Sequence, residues 1–276
     1  MLGAVPAILG LSSSMLLEHP LEQAIAFADE QGFRAFEVWA DHPHAHPDET
    51  PRDARQRLAT SLRRFERISA HGPLGNASIA SINPGIWRES VRQHVAAVEL
   101  AHDLGVGVLV VHPGDLRDRR FKVDALHLSC EALNKITARA AELGVSVAVE
   151  NCGPYHAGID QTTDDLATIV RSLGPHGSVC IDTGHAAVND NAEELIASLG
   201  SAVAHMHLHD NHGARDEHLP IGAGSIDFSR YVPVLDRLEG IAVAEIVWEE
   251  GRSTGTPEDL VRATRLGWAT LAGMRR

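Results

Sequence analysis

Eight times along this chain a short β-rich run leads through a polar or glycine-bearing loop into a longer segment with helical spacing. The runs fall at 8–12, 35–38, 68–71, 108–112, 146–150, 179–182, 203–209 and 241–245. Helical segments lie near 20–31, 51–66, 89–104, 123–143, 164–173, 192–199, 228–238 and 257–271. In the third of these, Val91, Val95, Val98 and Ala101 recur at steps of three and four, the spacing of one buried helix face. Pro20, Pro51 and Pro257 stand where a first helical turn tolerates proline, and Gly32, Gly105 and Gly144 come directly after helical segments as stops. Eight strand–helix units in 276 residues is the arithmetic of an α/β protein built as a single (β/α)8, or TIM, barrel. A doubly wound open sheet is the competing layout. No linker or composition break divides the chain, so one domain over 1–276 is expected.

The residues that end these runs favour the barrel. The third run ends at His71, the fourth at His112, the fifth at Glu150 and the eighth at Glu245. The sixth runs into Asp182 and His185, and the seventh carries His205, His207, His209 and Asp210; the loop beyond adds Asp216 and His218. In a parallel barrel all strands deliver their carboxyl ends to one face, where active sites of this architecture lie. Residues scattered from His71 to Glu245 would therefore converge. Strand parity agrees, because His205, His207 and His209 share one side while Met206 and Leu208 take the other. Likewise Ala148 and Glu150 oppose Val147 and Val149, and Val243 and Glu245 oppose Ala244 and Ile246.

Taken singly, a strand-end His is more often a hydrogen-bonded structural residue than a ligand, and a strand-end carboxylate often caps a loop. Together they line one mouth, and clustered carboxylates without a cation repel and raise each other's pKa. Imidazole and carboxylate suit Zn²⁺ or Mn²⁺ without separating them. Around this cluster, Glu37 is a candidate substrate contact, and Trp39, Trp87 and Trp248 could wall off a substrate or pack against loops. The stretch Gly222-Ala223-Gly224-Ser225 could offer amides to a phosphate or form a plain turn. His42, His44 and His46 read as a solvated loop.

Composition narrows the function classes. The chain has 24 basic and 37 acidic side chains, a net charge of −13, which argues against generic nucleic-acid binding. No run of about 18 apolar residues exists, so no membrane span is expected. Met1 to Ser14 has no Lys or Arg ahead of its short apolar stretch, so a secretory leader is not expected either. Cys130, Cys152 and Cys180 form an odd set without paired spacing, which speaks for a reducing, cytoplasmic location rather than a disulfide framework.

The blocks His71-Gly72-Pro73, Val111-His112-Pro113-Gly114, Val149-Glu150-Asn151, Ile181-Asp182-Thr183-Gly184-His185, His207-Leu208-His209-Asp210-Asn211, 216–224 and Glu245 resemble the xylose isomerase-like TIM barrels. That superfamily joins sugar-phosphate isomerases and epimerases to endonuclease IV-like AP endonucleases (AP endonuclease family 2). The resemblance covers residues 5–270. Its epimerase-like branch implies one divalent ion (Mn²⁺, Zn²⁺ or Co²⁺) on Glu150, Asp182, His207 and Glu245. The two glutamates would be the acid/base pair that moves a proton between adjacent carbons of a small sugar or sugar phosphate. His185 would orient substrate or assist proton movement, with Glu37, Trp39, His209 and Gly224 as further substrate contacts. The endonuclease IV branch implies three Zn²⁺ on His71, His112, Glu150, Asp182, His185, His207, Asp216, His218 and Glu245, activating water against a phosphodiester. Segment 76–84 looks more like the sugar isomerase branch, and the acidic, His-rich loop 39–44 lacks the basic run a DNA groove asks for. Isomerase-type members often self-associate, so a homo-oligomer is one expectation, although the sequence carries no interface signature. Lyase or dehydratase chemistry, or metal binding without turnover, stays open because fold does not fix reaction.

Overall fold

A computed structural model describes residues 7–274. Residues 1–6, which open the stretch read for a leader, lie outside the described residues. Eight strands alternate with helices: β1 (Ile8–Ser12), α1 (Leu21–Glu30), β2 (Ala35–Trp39), α2 (Arg52–Leu62), β3 (Arg67–His71), α3 (Pro84–Leu104), β4 (Val108–Val111) and α4 (Lys122–Leu143). Next come β5 (Ser146–Glu150), α5 (Thr163–Ser172), β6 (Ser178–Asp182), α6 (Thr183–Val188), α7 (Ala192–Leu199), β7 (Val203–Leu208), α8 (Val232–Leu235), β8 (Ile241–Ala244) and α9 (Pro257–Met274). Every neighbouring pair is parallel, and β8 closes onto β1, giving the (β/α)8 barrel.

Strand parity sorts the core into two layers. Phe36, Val38, Leu109, Val111, Val147, Val149, Ile181, Met206 and Leu208 face outward and join the helices in one large cluster. Facing inward, Ile8, Ala35, Ile241 and Val243 form one plug, and Val110, Ala148 and Cys180 another. The barrel is thus filled with side chains at its floor and leaves polar groups for its upper tiers. Gly105 and Gly144 close α3 and α4 in the left-handed conformation (φ 76° and 70°), which glycine adopts without a Cβ clash.

Several boundaries differ from the sequence expectation. β2 runs one residue further, to Trp39, whereas β4, β7 and β8 stop at Val111, Leu208 and Ala244, so His112, His209 and Glu245 begin loops. The helix expected over 228–238 is a 3-10 turn (Phe228–Tyr231) joined to the four-residue α8. Pro233 has no N–H to donate and is confined to a helix's first turn, so one continuous helix cannot pass it. α3 begins at Pro84, ahead of the expected residue 89, because the Asn83 side chain caps it through the amides of Gly85 and Ile86. The six-residue α6 is not evident in sequence. No helix among the described residues is long and apolar enough to cross a membrane.

Candidate metal centre

The strand ends converge on Glu150. Its Oε2 lies 3.2 Å from His71 Nε2 and 3.1 Å from His112 Nε2. Its Oε1 lies 3.2 Å from His207 Nδ1 and 3.3 Å from His185 Nδ1. His207 Nδ1 is also 3.3 Å from Glu245 Oε2 and 3.8 Å from Asp182 Oδ2. Beside this group, Asp216 Oδ2 faces His218 Nε2 at 3.0 Å, His185 Nε2 at 3.4 Å and His156 Nε2 at 3.5 Å. All nine residues of the larger ligand set considered in sequence therefore line one continuous cluster, and His156 and His209 join it.

Local structure explains the convergence. Asn151 clamps β5 to β6: its side-chain oxygen accepts from the Asp182 amide (2.8 Å) and its side-chain nitrogen donates to the Asp182 carbonyl (3.1 Å). Asp182 caps α6 by accepting from the His185 amide at 2.6 Å. The loop after β7 is pinned by a two-way backbone bridge, Asp210 to Leu219, and by the Asp210 carboxylate. That carboxylate accepts from the amides of Asn211 (2.9 Å), Gly222 (3.0 Å), Gly224 (2.9 Å) and Ile226 (3.0 Å).

The imidazoles are oriented as metal-binding rings are. In His71, His185 and His218, Nδ1–H donates to a backbone carbonyl, of Gly72 (2.9 Å), Asn151 (2.9 Å) and Glu245 (2.7 Å) respectively. Each Nε2 is thereby turned toward a carboxylate, the arrangement that fixes the ring plane and would leave Nε2 free to bind a cation placed between the two. Buried Asp216 Oδ1 and His209 Nδ1 have no hydrogen-bond partner. Seven imidazoles and four carboxylates form a donor set suited to Zn²⁺ or Mn²⁺. These are candidate metal-binding clusters on chemical grounds.

Electrostatics bind the cluster together. Burial pushes the Glu150 carboxyl up, but the charges of His207 and His112 overcome it and hold it well below the carboxylate range. His185 is raised in turn, against burial, by the carboxylates around it, and His207 by Cys180 together with Glu245, Glu37 and Glu150. Burial opposes protonation of His218 as well, yet Asp216 and Glu245 hold it up to about 9. His156 goes the other way, to about 4, through burial and the neighbouring His185. Most of the set is sealed; the His112 and His218 side chains, 24 % and 23 % exposed, mark the open side.

The expected substrate contacts land differently from one another. Trp39 lies over His71, ring centroids 5.0 Å apart, at the mouth. His209 is fully buried, with Nε2 3.0 Å from Asp182 Oδ2 and its ring stacked on His218. Glu37 sits one tier below the strand ends with no exposure, held among Ser69, His205 and His207. The Gly224 amide is engaged by Asp210, as is that of Gly222. Trp87 packs between α3 and α4, donating to the Leu128 carbonyl, and Trp248 stacks on His19. His44 is half-buried and bonded to Ser13 and the His19 carbonyl, while His42 lies exposed beside Glu49. Sequence reasoning missed His156, and it read Asp210 only as one more ligand candidate at the end of the seventh run, not as the anchor of the loop. Asp210 comes right after His209 in the motif itself, but its role depends on glycines twelve and more residues away.

A sequence profile described as xylose isomerase-like TIM barrel matches residues 25–267. The chain belongs to that family. A crystal structure described as a D-tagatose 3-epimerase-like protein superposes with a TM-score of 0.84 at 25 % identity, covering 97 % of this chain and 98 % of that one. Fructoselysine 3-epimerase of Shigella flexneri is 25 % identical over 240 residues, 83 % of this chain and 86 % of its own. A probable endonuclease 4 of Mesoplasma florum is 26 % identical over 197 residues, 66 % of each chain.

Proposed function

We propose that this protein is a divalent-metal-dependent epimerase or isomerase of small sugars, with residues 1–276 acting as one catalytic domain. The observation that carries the reading is the set around His207 Nδ1: Glu150 at 3.2 Å, Glu245 at 3.3 Å and Asp182 at 3.8 Å. These four residues would hold the ion, Mn²⁺, Zn²⁺ or Co²⁺. A divalent ion there would polarise a substrate carbonyl and make the adjacent C–H acidic. Glu150 and Glu245, brought in from the ends of two strands that are not neighbours, would exchange that proton: one carboxylate would accept it, and the other would return one to the opposite face of the same carbon or to the adjacent carbon. His185, with Nδ1 committed to the Asn151 carbonyl, keeps a fixed ring plane from which to orient a substrate hydroxyl. Trp39, its ring over His71 at the mouth, would help shield the exchange from water.

Two considerations refine the substrate class. The amides of Gly222, Gly224 and Ile226 donate to Asp210, so that loop has no free cradle for a phosphate, which favours a neutral sugar over its phosphate. The names of the relatives, a fructoselysine 3-epimerase and a D-tagatose 3-epimerase-like protein, point to ketoses.

The test is solvent exchange. The Mn²⁺- or Co²⁺-supplied protein, offered a panel of ketoses in D₂O, should incorporate deuterium next to the carbonyl. Glu150→Gln and Glu245→Gln should each lower that rate by about 10²–10⁴, the scale of general acid–base catalysis. Undiminished incorporation in both variants would sink the assignment.

A second reading rests on the contacts of Asp216 with His185 and His218, and of His71 and His112 with Glu150. Together with the four residues above they make the nine-ligand set of a trinuclear zinc phosphodiesterase acting on abasic DNA. About three Zn²⁺ per chain, and abasic-site cleavage that a chelator abolishes, would favour it over the epimerase; about one ion per chain would not.

A further inference from the structure

Beneath the strand ends lies a second polar tier that solvent does not reach. The register pairs Trp39 with His71 and Glu37 with Ser69, so Glu37 projects inward one step deeper than His71. Glu37, Ser69, His205 and His207 all have 0 % exposure. Glu37 Oε2 accepts from the Ser69 hydroxyl at 2.9 Å and from His205 Nε2–H at 2.9 Å. Glu37 Oε1 lies 3.1 Å from His207 Nε2, a close electrostatic contact without the alignment of a hydrogen bond, and no other donor reaches that oxygen.

A buried carboxylate without a charge partner is strongly disfavoured. His205 Nδ1 has no partner, so that ring serves as a neutral donor through Nε2. The charge of Glu37 is then directed at His207, whose other nitrogen faces Glu150, Glu245 and Asp182. An imidazole can offer Nδ1 to a cation only if its proton sits on Nε2, and a carboxylate on the Nε2 side stabilises that form and strengthens the ligand. His71, His185 and His218 obtain the converse orientation from backbone carbonyls. At His207 no carbonyl does so, and Glu37 stands in that place.

We infer that Glu37 is a positioning residue for His207: it keeps the ring proton on Nε2 and presents Nδ1 to the ion, while Ser69 and His205 hold the Glu37 carboxylate in place. The inference rests on the metal-centre reading above, and it assigns Glu37 no contact with substrate.

The experiment is Zn²⁺ binding by the full chain, measured by competition with a chromogenic chelator, in the wild type, Glu37→Gln, Glu37→Ala and Ser69→Ala. Circular dichroism establishes that each variant is folded, and ¹⁵N-histidine NMR of the Zn²⁺-loaded protein reads the tautomer. The expected results are a Kd raised about 10- to 100-fold in both Glu37 variants, a smaller rise in Ser69→Ala, and a wild-type His207 protonated on Nε2. A merely structural Glu37 would change stability but leave the tautomer and the Kd of folded variants alone; that outcome overturns the inference. Loss of one bound ion per chain in Glu37→Gln, with the affinity of the others intact, also overturns it, because Glu37, His205 and His207 would then be ligands of their own ion. A wild type that binds no divalent ion overturns the metal-centre reading and this inference with it, whereas wild-type binding with indifferent Glu37 variants overturns the inference alone.

Discussion

Asp210→Ala should be one of the most damaging single changes available outside the cluster itself. The carboxylate is fully buried and accepts four backbone N–H groups, from Asn211, Gly222, Gly224 and Ile226, at 2.9–3.0 Å. Truncation removes all four acceptors. At a net ~0.5–1.5 kcal/mol per hydrogen bond the loss is about 2–6 kcal/mol, and about 4 is a central expectation. The conservative Asp210→Asn keeps one acceptor oxygen and sets an amide NH₂ against two donors, so it should cost roughly half as much. With a urea m value of about 3 kcal/mol per molar, 4 kcal/mol moves the unfolding midpoint by about 1.3 M. The same variant should loosen the loop that carries Asp216 and His218, while Glu150, Asp182 and His207 stay anchored on strands. Equilibrium urea unfolding monitored by tryptophan fluorescence, with Zn²⁺ stoichiometry measured alongside, reads both effects. A midpoint shift below about 0.2 M in Asp210→Ala would show that water takes over the four donors at no cost, and the reasoning would be wrong.

Two further outcomes can be drawn from the geometry. A Cβ at Gly184 would fall 1.8 Å from His209 Cε1, so Gly184→Ala should push that ring off Asp182, cost about 1–3 kcal/mol in thermal unfolding and weaken ion binding; unchanged Zn²⁺ affinity would refute it. His94, buried on α3 with Nδ1–H on the Ser90 carbonyl, is held down to about 4 by burial, while the unfolded chain takes up its proton near 6.5. Unfolding therefore binds the proton between those values, and stability should fall by about 3 kcal/mol on this account as pH drops from 6.5 to 4. The wild-type advantage over His94→Gln in urea unfolding should shrink across that window, and a constant gap would remove His94 as the cause.

The architecture was legible because two periodicities reinforce each other. Alternation along each strand puts the outward Met206 and Leu208 on helices and the inward His205 and His207 into the barrel, and eight helical spacings supply the outer layer. The convergence of the histidines and carboxylates was legible for the same reason: a parallel barrel delivers His71, Glu150, Asp182 and their fellows to one face whatever their distance in sequence. Depth within the barrel was not. Glu37 reads as a strand-end residue if β2 stops at Val38, but hydrogen bonding to β3 carries the strand to Trp39 and drops Glu37 a tier, beside Ser69. The same tilt puts His205 level with Cys180 and His207 level with Asp182. Such offsets arise from the register shear that closes the barrel, a property of eight strands together that no single strand's pattern contains. His156, and the anchoring role of Asp210, escaped for a different reason, since loop residues act through contacts that alternation does not govern. The division has a chemical consequence. Inward residues at the strand ends face the open mouth and can meet a substrate, whereas the identical residue types one step below can only tune those above them. On the proposed reading, a glutamate at 150 would exchange protons, while one at 37 would decide which nitrogen of His207 is available.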